Sequence, residues 1–141
     1  MPNIDDITPA LAQHNTVVFT TYRRDGMPQQ SLVSAGRFED GFAFTTRTRN
    51  AKYHNLRRDP RCAMMLIGAG YRGYAVLDGE ADVRSPETAE PEQLRLDLRA
   101  VYRAAAGGEH PDWAEYDAAM VEQGRAVILL RPARIVAQGL P

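Results

Sequence analysis

The sequence has a single cysteine, Cys62, and only three histidines, so it is poor in the residues that build disulfides and zinc sites. One cysteine cannot form a disulfide within the chain, which is typical of a reducing compartment. His14, His54 and His110 lie far apart, and no Cys/His/Asp group has the spacing of metal ligands. We therefore expect a cytoplasmic protein with no metal site.

Long apolar runs are also missing. No segment approaches the roughly 20 consecutive apolar residues that a membrane-spanning helix requires. The N-terminus carries Asp5 and Asp6 where an export signal needs basic residues, and it has no apolar core. We therefore expect neither a signal peptide nor a membrane partner. The 141 residues, 44% of them hydrophobic, suit one globular domain over residues 1–141.

Motifs for catalysis by the protein's own side chains are scarce. There is no G-x-S-x-G turn and no evident Ser/His/Asp set. Glu80 and Asp82 alternate with small residues, which favours the wet face of a strand over a catalytic pair. Cys62 stands within an apolar run and is interpreted as core, and His110 is interpreted as part of a turn. No catalytic residue is assigned, and reactive chemistry would have to come from a cofactor.

Lysine is rare in this sequence: Lys52 is its single lysine, whereas arginine occurs 16 times. It lies in residues 41–60, GFAFTTRTRNAKYHNLRRDP, which predict a strand, a basic turn and a helix. Six of the 17 basic residues fall between Arg47 and Arg61, against one acid, Asp59. Positive charge beside a helix start can bind an anion, although a plain basic surface is an equal alternative. A lysine retained in an arginine-rich chain slightly favours the anion site.

Charge is distributed unevenly along the chain. Residues 1–77 carry ten basic and six acidic side chains, a net charge of +4, and residues 78–141 carry seven and twelve, a net charge of −5. The basic half suits an anionic ligand. The total of −1 argues against a general nucleic-acid partner, which usually needs a positive excess.

Hydrophobic periodicity and turn signals predict an order of β-β-β-α-β-β-α-α-β-β after a short first helix. The predicted helices cover residues 4–14, 51–58, 87–106 and 111–123. The predicted strands cover residues 17–22, 30–38, 42–46, 62–67, 74–83, 126–130 and 134–138. Without β-α-β alternation a Rossmann fold fits the sequence poorly, and a mainly β (α+β) fold with a closed or split antiparallel barrel is predicted.

Four local predictions accompany this order. Asn50 is expected to cap the second helix with its side chain. Residues 62–67 are expected to be buried on both faces, because the run is continuously apolar. Arginines spaced four apart in the third helix are interpreted as a solvated face. The fourth helix is expected to turn these side chains inward: Trp113, Tyr116, Met120 and Val121.

Several motifs carry a family resemblance over nearly the whole chain. They are DGMPQQSLV at residues 25–33, AKYHNLRRDPR at 51–61, YAVLDGEA at 74–81, and GEHPDW and GLP towards the C-terminus. In these motifs the sequence resembles the flavin and deazaflavin oxidoreductases with the pyridoxamine 5′-phosphate oxidase-like split β-barrel. It is most similar to the actinobacterial branch that uses coenzyme F420. The resemblance implies an antiparallel six- to seven-stranded split β-barrel (the FMN-binding split barrel) with flanking helices.

The same resemblance implies a cofactor site. In the family the phosphate lies against the third predicted strand and the turn after it, which implies Thr45, Thr46, Arg47, Asn50, Ala51 and Lys52. The ring lies along the second predicted strand, which implies Gln30, Ser31, Leu32, Val33 and Ser34. The family is an obligate homodimer with its cofactor sites at the subunit interface. The partner subunit would contribute the region that contains Arg72 and Tyr74.

The sequence departs from the family's FMN oxidases at two places. They carry an arginine early in the second strand and an Arg-Lys pair after the third, where this chain has Ser31 and Ala51-Lys52. The arginine and histidine that hold pyridoxamine phosphate have no counterpart in residues 133–141, which argues against vitamin B6 oxidation. F420-type relatives often have an arginine where this chain has Asn50, and Arg47 or Arg49 could replace it.

The resemblance implies an F420-dependent oxidoreductase that transfers a hydride to a small conjugated organic substrate. Two alternatives stay open: an FMN-binding oxidoreductase of the same fold, and a non-catalytic F420-binding carrier. The anionic tail of F420 would pair with Arg47, Arg49 and Arg57. Solvent or Tyr74 would supply the proton.

Overall fold

A computed structural model describes residues 2–140. Seven strands form one antiparallel sheet: β1 Thr16–Tyr22, β2 Pro28–Ser34, β3 Gly36–Phe38, β4 Gly41–Arg47, β5 Arg61–Ile67, β6 Tyr74–Arg84 and β7 Arg125–Gln138. The α-helices are α1 Ile4–Gln13, α2 Ala51–Arg58, α3 Pro91–Ala106 and α4 Trp113–Glu122. The strand order is β2-β1-β5-β6-β7-β4-β3, and the sheet curls into a half-barrel. The predicted antiparallel split barrel with flanking helices is confirmed.

Alternating apolar residues fill the inside of the curled sheet. In β1, Val17 and Phe19 are fully buried, whereas their neighbours are only half-buried. The Phe19 ring meets that of Phe44 edge-on, with centroids 4.6 Å apart. Cys62 lies in the same cluster, and burial raises the pKa of its thiol to about 12. The interpretation of Cys62 as a core residue is confirmed.

The strand predicted for residues 30–38 is in fact two strands, β2 and β3, separated at the buried Ala35. The break lies where the chain passes directly beneath α3. A β-carbon at Gly36 would overlap the backbone of Ala104 and Ala105. Periodicity along the strand carries no information about this contact with a distant helix, so the prediction of one strand was wrong.

A Gly36→Ala substitution tests this close approach. The added methyl group must push α3 away from the sheet, and overpacking of this kind costs about 1–3 kcal/mol of unfolding free energy. We expect urea denaturation to show that loss. The matched control is Gly108→Ala, because the space around Gly108 is open. Equal midpoints for both variants would contradict the proposed contact.

The two predicted closing strands are one continuous strand, β7, so the predicted break at Pro132 was also wrong. The register between β6 and β7 shifts between Asp78 and Gly79, where Gly79 pairs with Pro132. A β-bulge at this point accommodates Pro132, which has no backbone N–H to donate to the neighbouring strand.

Three smaller predictions need correction. Helix α3 begins at Pro91 instead of residue 87, because the Glu90 side chain caps it by accepting from two first-turn N–H groups. Strand β5 buries only one face fully, since its residues alternate between buried and half-buried. Val121 is 82% exposed instead of turned inward.

The turn before α4 agrees with the interpretation of His110. Its Nδ1 accepts a hydrogen bond from the backbone N–H of Asp112 at 2.9 Å.

The arginine row on α3 is paired with acids: Arg99 and Arg95 donate to Asp117, and Arg103 donates to Glu109. Among the helices of residues 2–140, none has both the length and the apolar character to span a bilayer.

Candidate functional site

The barrel is split between β2 and β4. β3 pairs with β4 from Gly36 opposite Ala43 to Phe38 opposite Gly41. Beyond this short ladder β2 pairs with β1, and β4 pairs with β7. Ser34 and Thr45 both line the resulting cavity, of about 400 Å³. The split therefore brings together the strand predicted for the ring and the strand predicted for the phosphate.

Three basic side chains gather at the end of β4, and we call Arg47, Lys52 and Arg125 the cationic cluster. Arg47 lies opposite Arg125 in the β4–β7 ladder, and Lys52 lies in the first turn of α2. Burial and the charge of Arg125 lower the pKa of Lys52. Burial and the charge of Arg47 lower the pKa of Arg125.

No carboxylate neutralises the cationic cluster within residues 2–140, where the ion pairs involve other arginines. Arg125 donates instead to neutral oxygens, from Nε to Gln123 Oε1 at 2.9 Å and from Nη1 to the Thr45 carbonyl at 3.4 Å. Partly desolvated like charges without a counterion favour a bound anion, because an anion relieves the repulsion and gains charge-assisted hydrogen bonds. The donor set fits a phosphate.

Asn50 begins α2 as predicted, with the extended backbone of an N-cap residue at φ −77° and ψ 150°. Its side chain, however, does not cap the helix, so that prediction was wrong. Nδ2 donates to Thr46 Oγ1 at 3.1 Å instead. Within residues 2–140 the first-turn N–H groups of Ala51 and Lys52 therefore have no side-chain acceptor, and they add donors beside the cationic cluster.

Thr45 and Thr46 point to opposite sides of β4. Thr45 is half-buried and lines the cavity. Thr46 is 2% exposed and accepts the Asn50 amide. This alternation follows from strand geometry, and it leaves Thr45 as the hydroxyl within reach of a ligand in the cavity.

The predicted ring-binding residues of β2 likewise alternate. Gln30, Leu32 and Ser34 are exposed, with Leu32 at 72%, whereas Ser31 and Val33 turn towards the interior. The Ser31 hydroxyl oxygen is buried and has no hydrogen-bond partner within residues 2–140. A ring lying along the exposed face of this strand would therefore contact the side chains of Gln30, Leu32 and Ser34. It would contact only backbone groups of Ser31 and Val33.

Arg72 and Tyr74 lie far from the cationic cluster within this chain. Tyr74 begins β6, and its hydroxyl donates to Gln138 Oε1 at 3.1 Å. The other end of β6, Arg84, pairs with Val127, which in turn lies opposite Thr45. The strand between Tyr74 and Arg84 spans roughly 33 Å. A single protomer does not bring these residues to the cavity.

Two residues of the site were not predicted from the sequence. Arg125 opens β7, and only the strand register reveals that it faces Arg47. Tyr102 lines the cavity from α3, and within residues 2–140 its hydroxyl forms no hydrogen bond. Tyr116, by contrast, donates to the Leu98 carbonyl, and burial raises its pKa to about 12. Within the described chain, no group of three or more His, Cys, Asp or Glu side chains is arranged to hold a metal.

Comparison with known proteins places the chain among similar folds. The model of the family described as pyridoxamine 5′-phosphate oxidase matches residues 4–139. A conserved hypothetical protein, Rv2991, from Mycobacterium tuberculosis has a TM-score of 0.78 at 20% identity, over 99% of this chain and 86% of that chain.

An F420 reductase has a TM-score of 0.61 at 22% identity, over 91% of this chain and 94% of that chain. A pyridoxamine 5′-phosphate oxidase-related, FMN-binding protein from Nostoc punctiforme has a TM-score of 0.70 at 17% identity, over 97% and 84%. A haem-binding protein and a haem storage protein share the fold as well. At these identities the structural likeness establishes the fold alone.

Proposed function

The chain belongs to the pyridoxamine 5′-phosphate oxidase family, and from this premise we propose that it binds coenzyme F420 and acts as an oxidoreductase on a small conjugated substrate. The observation that carries the proposal is the cationic cluster without a carboxylate partner, at one end of the split between β2 and β4. F420 and FMN both carry a phosphate at the end of a ribityl chain attached to a planar ring. An F420 reductase and an FMN-binding protein share the fold.

Each part of the site has a role in this proposal. Lys52, Arg47 and Arg125 would hold the phosphate, together with the free N–H groups at the start of α2. Gln30 and Leu32 would lie against the ring. When bound, reduced F420 supplies a hydride to an electron-poor double bond. Residues of α3 and α4 line one side of the cavity.

The proton that completes a reduction needs a donor near the substrate. Tyr102 lies on the cavity wall, whereas Tyr116 is committed to a backbone carbonyl. Tyr74 reaches the cavity only if a partner subunit brings it there. Solvent, Tyr102 or the partner's Tyr74 would therefore supply the proton.

F420 is preferred over FMN on two features of this chain. The FMN oxidases that the sequence resembles carry an arginine early in the second strand. This chain has Ser31 at that position, and its hydroxyl points inward and is buried. Arg49 and Arg57 are exposed and form no ion pair within residues 2–140. They suit the anionic tail that F420 has and FMN lacks. FMN stays the second candidate, because an FMN-binding protein shares the fold.

Fluorescence titration of the purified protein with F420, FMN, riboflavin and haemin tests the cofactor. We expect F420 to bind at least about tenfold more tightly than FMN, since it adds tail contacts, and FMN more tightly than riboflavin, which has no phosphate. Tighter binding of FMN or haemin than of F420 would overturn the assignment. Tight F420 binding without turnover of enones, quinones or tetrapyrroles would point to a carrier.

We also propose that the protein is a homodimer. A straight row of apolar side chains crosses five strands on the outer face of the sheet: Leu32, Val18, Met65, Val76 and Val136. None of these is fully buried, and Leu32 is 72% exposed and Val136 40%. A sheet face in contact with water is normally polar, so a continuous apolar row suits a second copy of the chain. A partner packed here would bring its own Arg72 and Tyr74 towards the cofactor.

A further inference from the structure

A second cavity, of about 560 Å³, forms a groove between α3 and α4. Its walls are mainly apolar, with Leu94 and Leu98 on α3 and Met120 and Val121 on α4. Val121 is 82% exposed, which leaves one wall of the groove uncovered. Concave apolar surfaces with few polar groups are typical of small-molecule sites.

The acidic groups that line this groove are already engaged. Asp117 accepts hydrogen bonds from Arg95 and Arg99, which hold its pKa below the usual range. Glu92 pairs with Arg95, and the Glu90 carboxylate caps α3. Two of these three carboxylates are therefore paired with arginines, and the third is hydrogen-bonded to the first turn of α3.

Arg125 is the basic group of the groove that lacks an opposite charge within residues 2–140, because Arg95 pairs with Glu92 and Asp117. Arg125 lines both the groove and the cavity that contains Thr45, and Met120 is likewise common to the two. It has no carboxylate partner within residues 2–140, where it donates to a side-chain amide and a backbone carbonyl. A purely apolar ligand would leave this half-buried charge unpaired, whereas a polyanion would not suit the apolar walls.

We propose that the groove between α3 and α4 binds an amphipathic carboxylate, with its apolar chain between the helices and its carboxylate at Arg125. The apolar walls take the chain, and the unpaired guanidinium takes the head group. The groove is lined by none of the β2 residues proposed for the ring. Arg125 also belongs to the cationic cluster proposed for the phosphate, so a bound cofactor and this carboxylate would compete for it. Decanoate binding is therefore measured in the cofactor-free protein, where its presence or absence does not depend on the proposed cofactor.

Isothermal titration calorimetry with decanoate, below its micelle concentration, tests the proposal. We expect saturable binding of one molecule per chain. Octanoate should bind more weakly, by up to about fourfold for each methylene removed. Octan-1-ol should bind more weakly than octanoate, by about tenfold, because it lacks the charge that pairs with Arg125. Absence of decanoate binding, or equal affinity for octanoate and octan-1-ol, would overturn the proposal.

Two matched variants locate the site. Val121→Glu places a charge on the exposed groove wall and should weaken decanoate binding tenfold or more. Leu96→Glu places the same charge on α3 outside the groove lining, at a side chain that is 45% exposed, and should leave binding unchanged. Circular dichroism checks that both variants fold. A change of oligomeric state in Val121→Glu with unaltered decanoate binding would instead make the groove an interface and overturn the proposal.

Discussion

A Lys52→Met protein is expected to bind F420 and FMN about 10- to 150-fold more weakly than the wild type, with its affinity for riboflavin unchanged. The reason is the loss of one charge-assisted contact to phosphate, which contributes about 1.5–3 kcal/mol. Burial and the charge of Arg125 lower the pKa of Lys52. Both effects disfavour the charged ammonium, and a bound anion would offset them. Fluorescence titration with each ligand measures the effect.

Two further variants serve as controls for this result. Arg57→Met removes one positive charge from the exposed side of the same helix and should weaken FMN binding far less. Lys52→Arg keeps the charge but exchanges a compact ammonium for a wider guanidinium, so partial recovery is expected. If Lys52→Met bound FMN and F420 as tightly as the wild type, the phosphate would lie elsewhere. An equal loss for riboflavin would indicate damage to the fold instead of a lost phosphate contact.

The second large effect is expected from Val136→Glu. Val136 ends the apolar row on the outer sheet face, and a glutamate there would place a charge in the proposed interface of each copy. Desolvating an unpaired carboxylate costs several kcal/mol, so the dimer dissociation constant should rise roughly a thousandfold. Sedimentation equilibrium would then show a monomer at micromolar concentration.

Affinity for F420 should fall when the dimer dissociates, because the proposed site needs Arg72 and Tyr74 from the partner subunit. Leu96→Glu is the matched control, since Leu96 is similarly exposed but lies on α3 away from the row. A wild-type protein that sediments as a monomer, or a Val136→Glu protein that stays dimeric, would remove the basis of the proposed interface. A monomeric variant with unaltered F420 affinity would show that each chain carries a complete site.

Much of the architecture could be predicted from local sequence. Strands β1 and β4 and helix α2 follow from apolar periodicity and turn residues, and their bounds agree within about two residues. The splitting of the second strand and the fusion of the last two could not be predicted in this way. Both depend on neighbours distant in sequence: the backbone of α3 against Gly36, and the bulge in β6–β7 pairing beside Pro132.

The candidate site likewise has features that follow from local sequence and features that depend on contacts between elements distant in sequence. By itself the sequence determined the composition of the site, namely one lysine in a basic turn after a β-strand, with Asn50 at the start of a helix. Only the tertiary structure decided which groups meet. The register of β4 against β7 places Arg125 opposite Arg47, and strand alternation turns Ser31 and Thr46 away from the cavity. Local patterns encode each element's own faces, whereas the electrostatics of a site depend on distances between elements, and these follow only from packing.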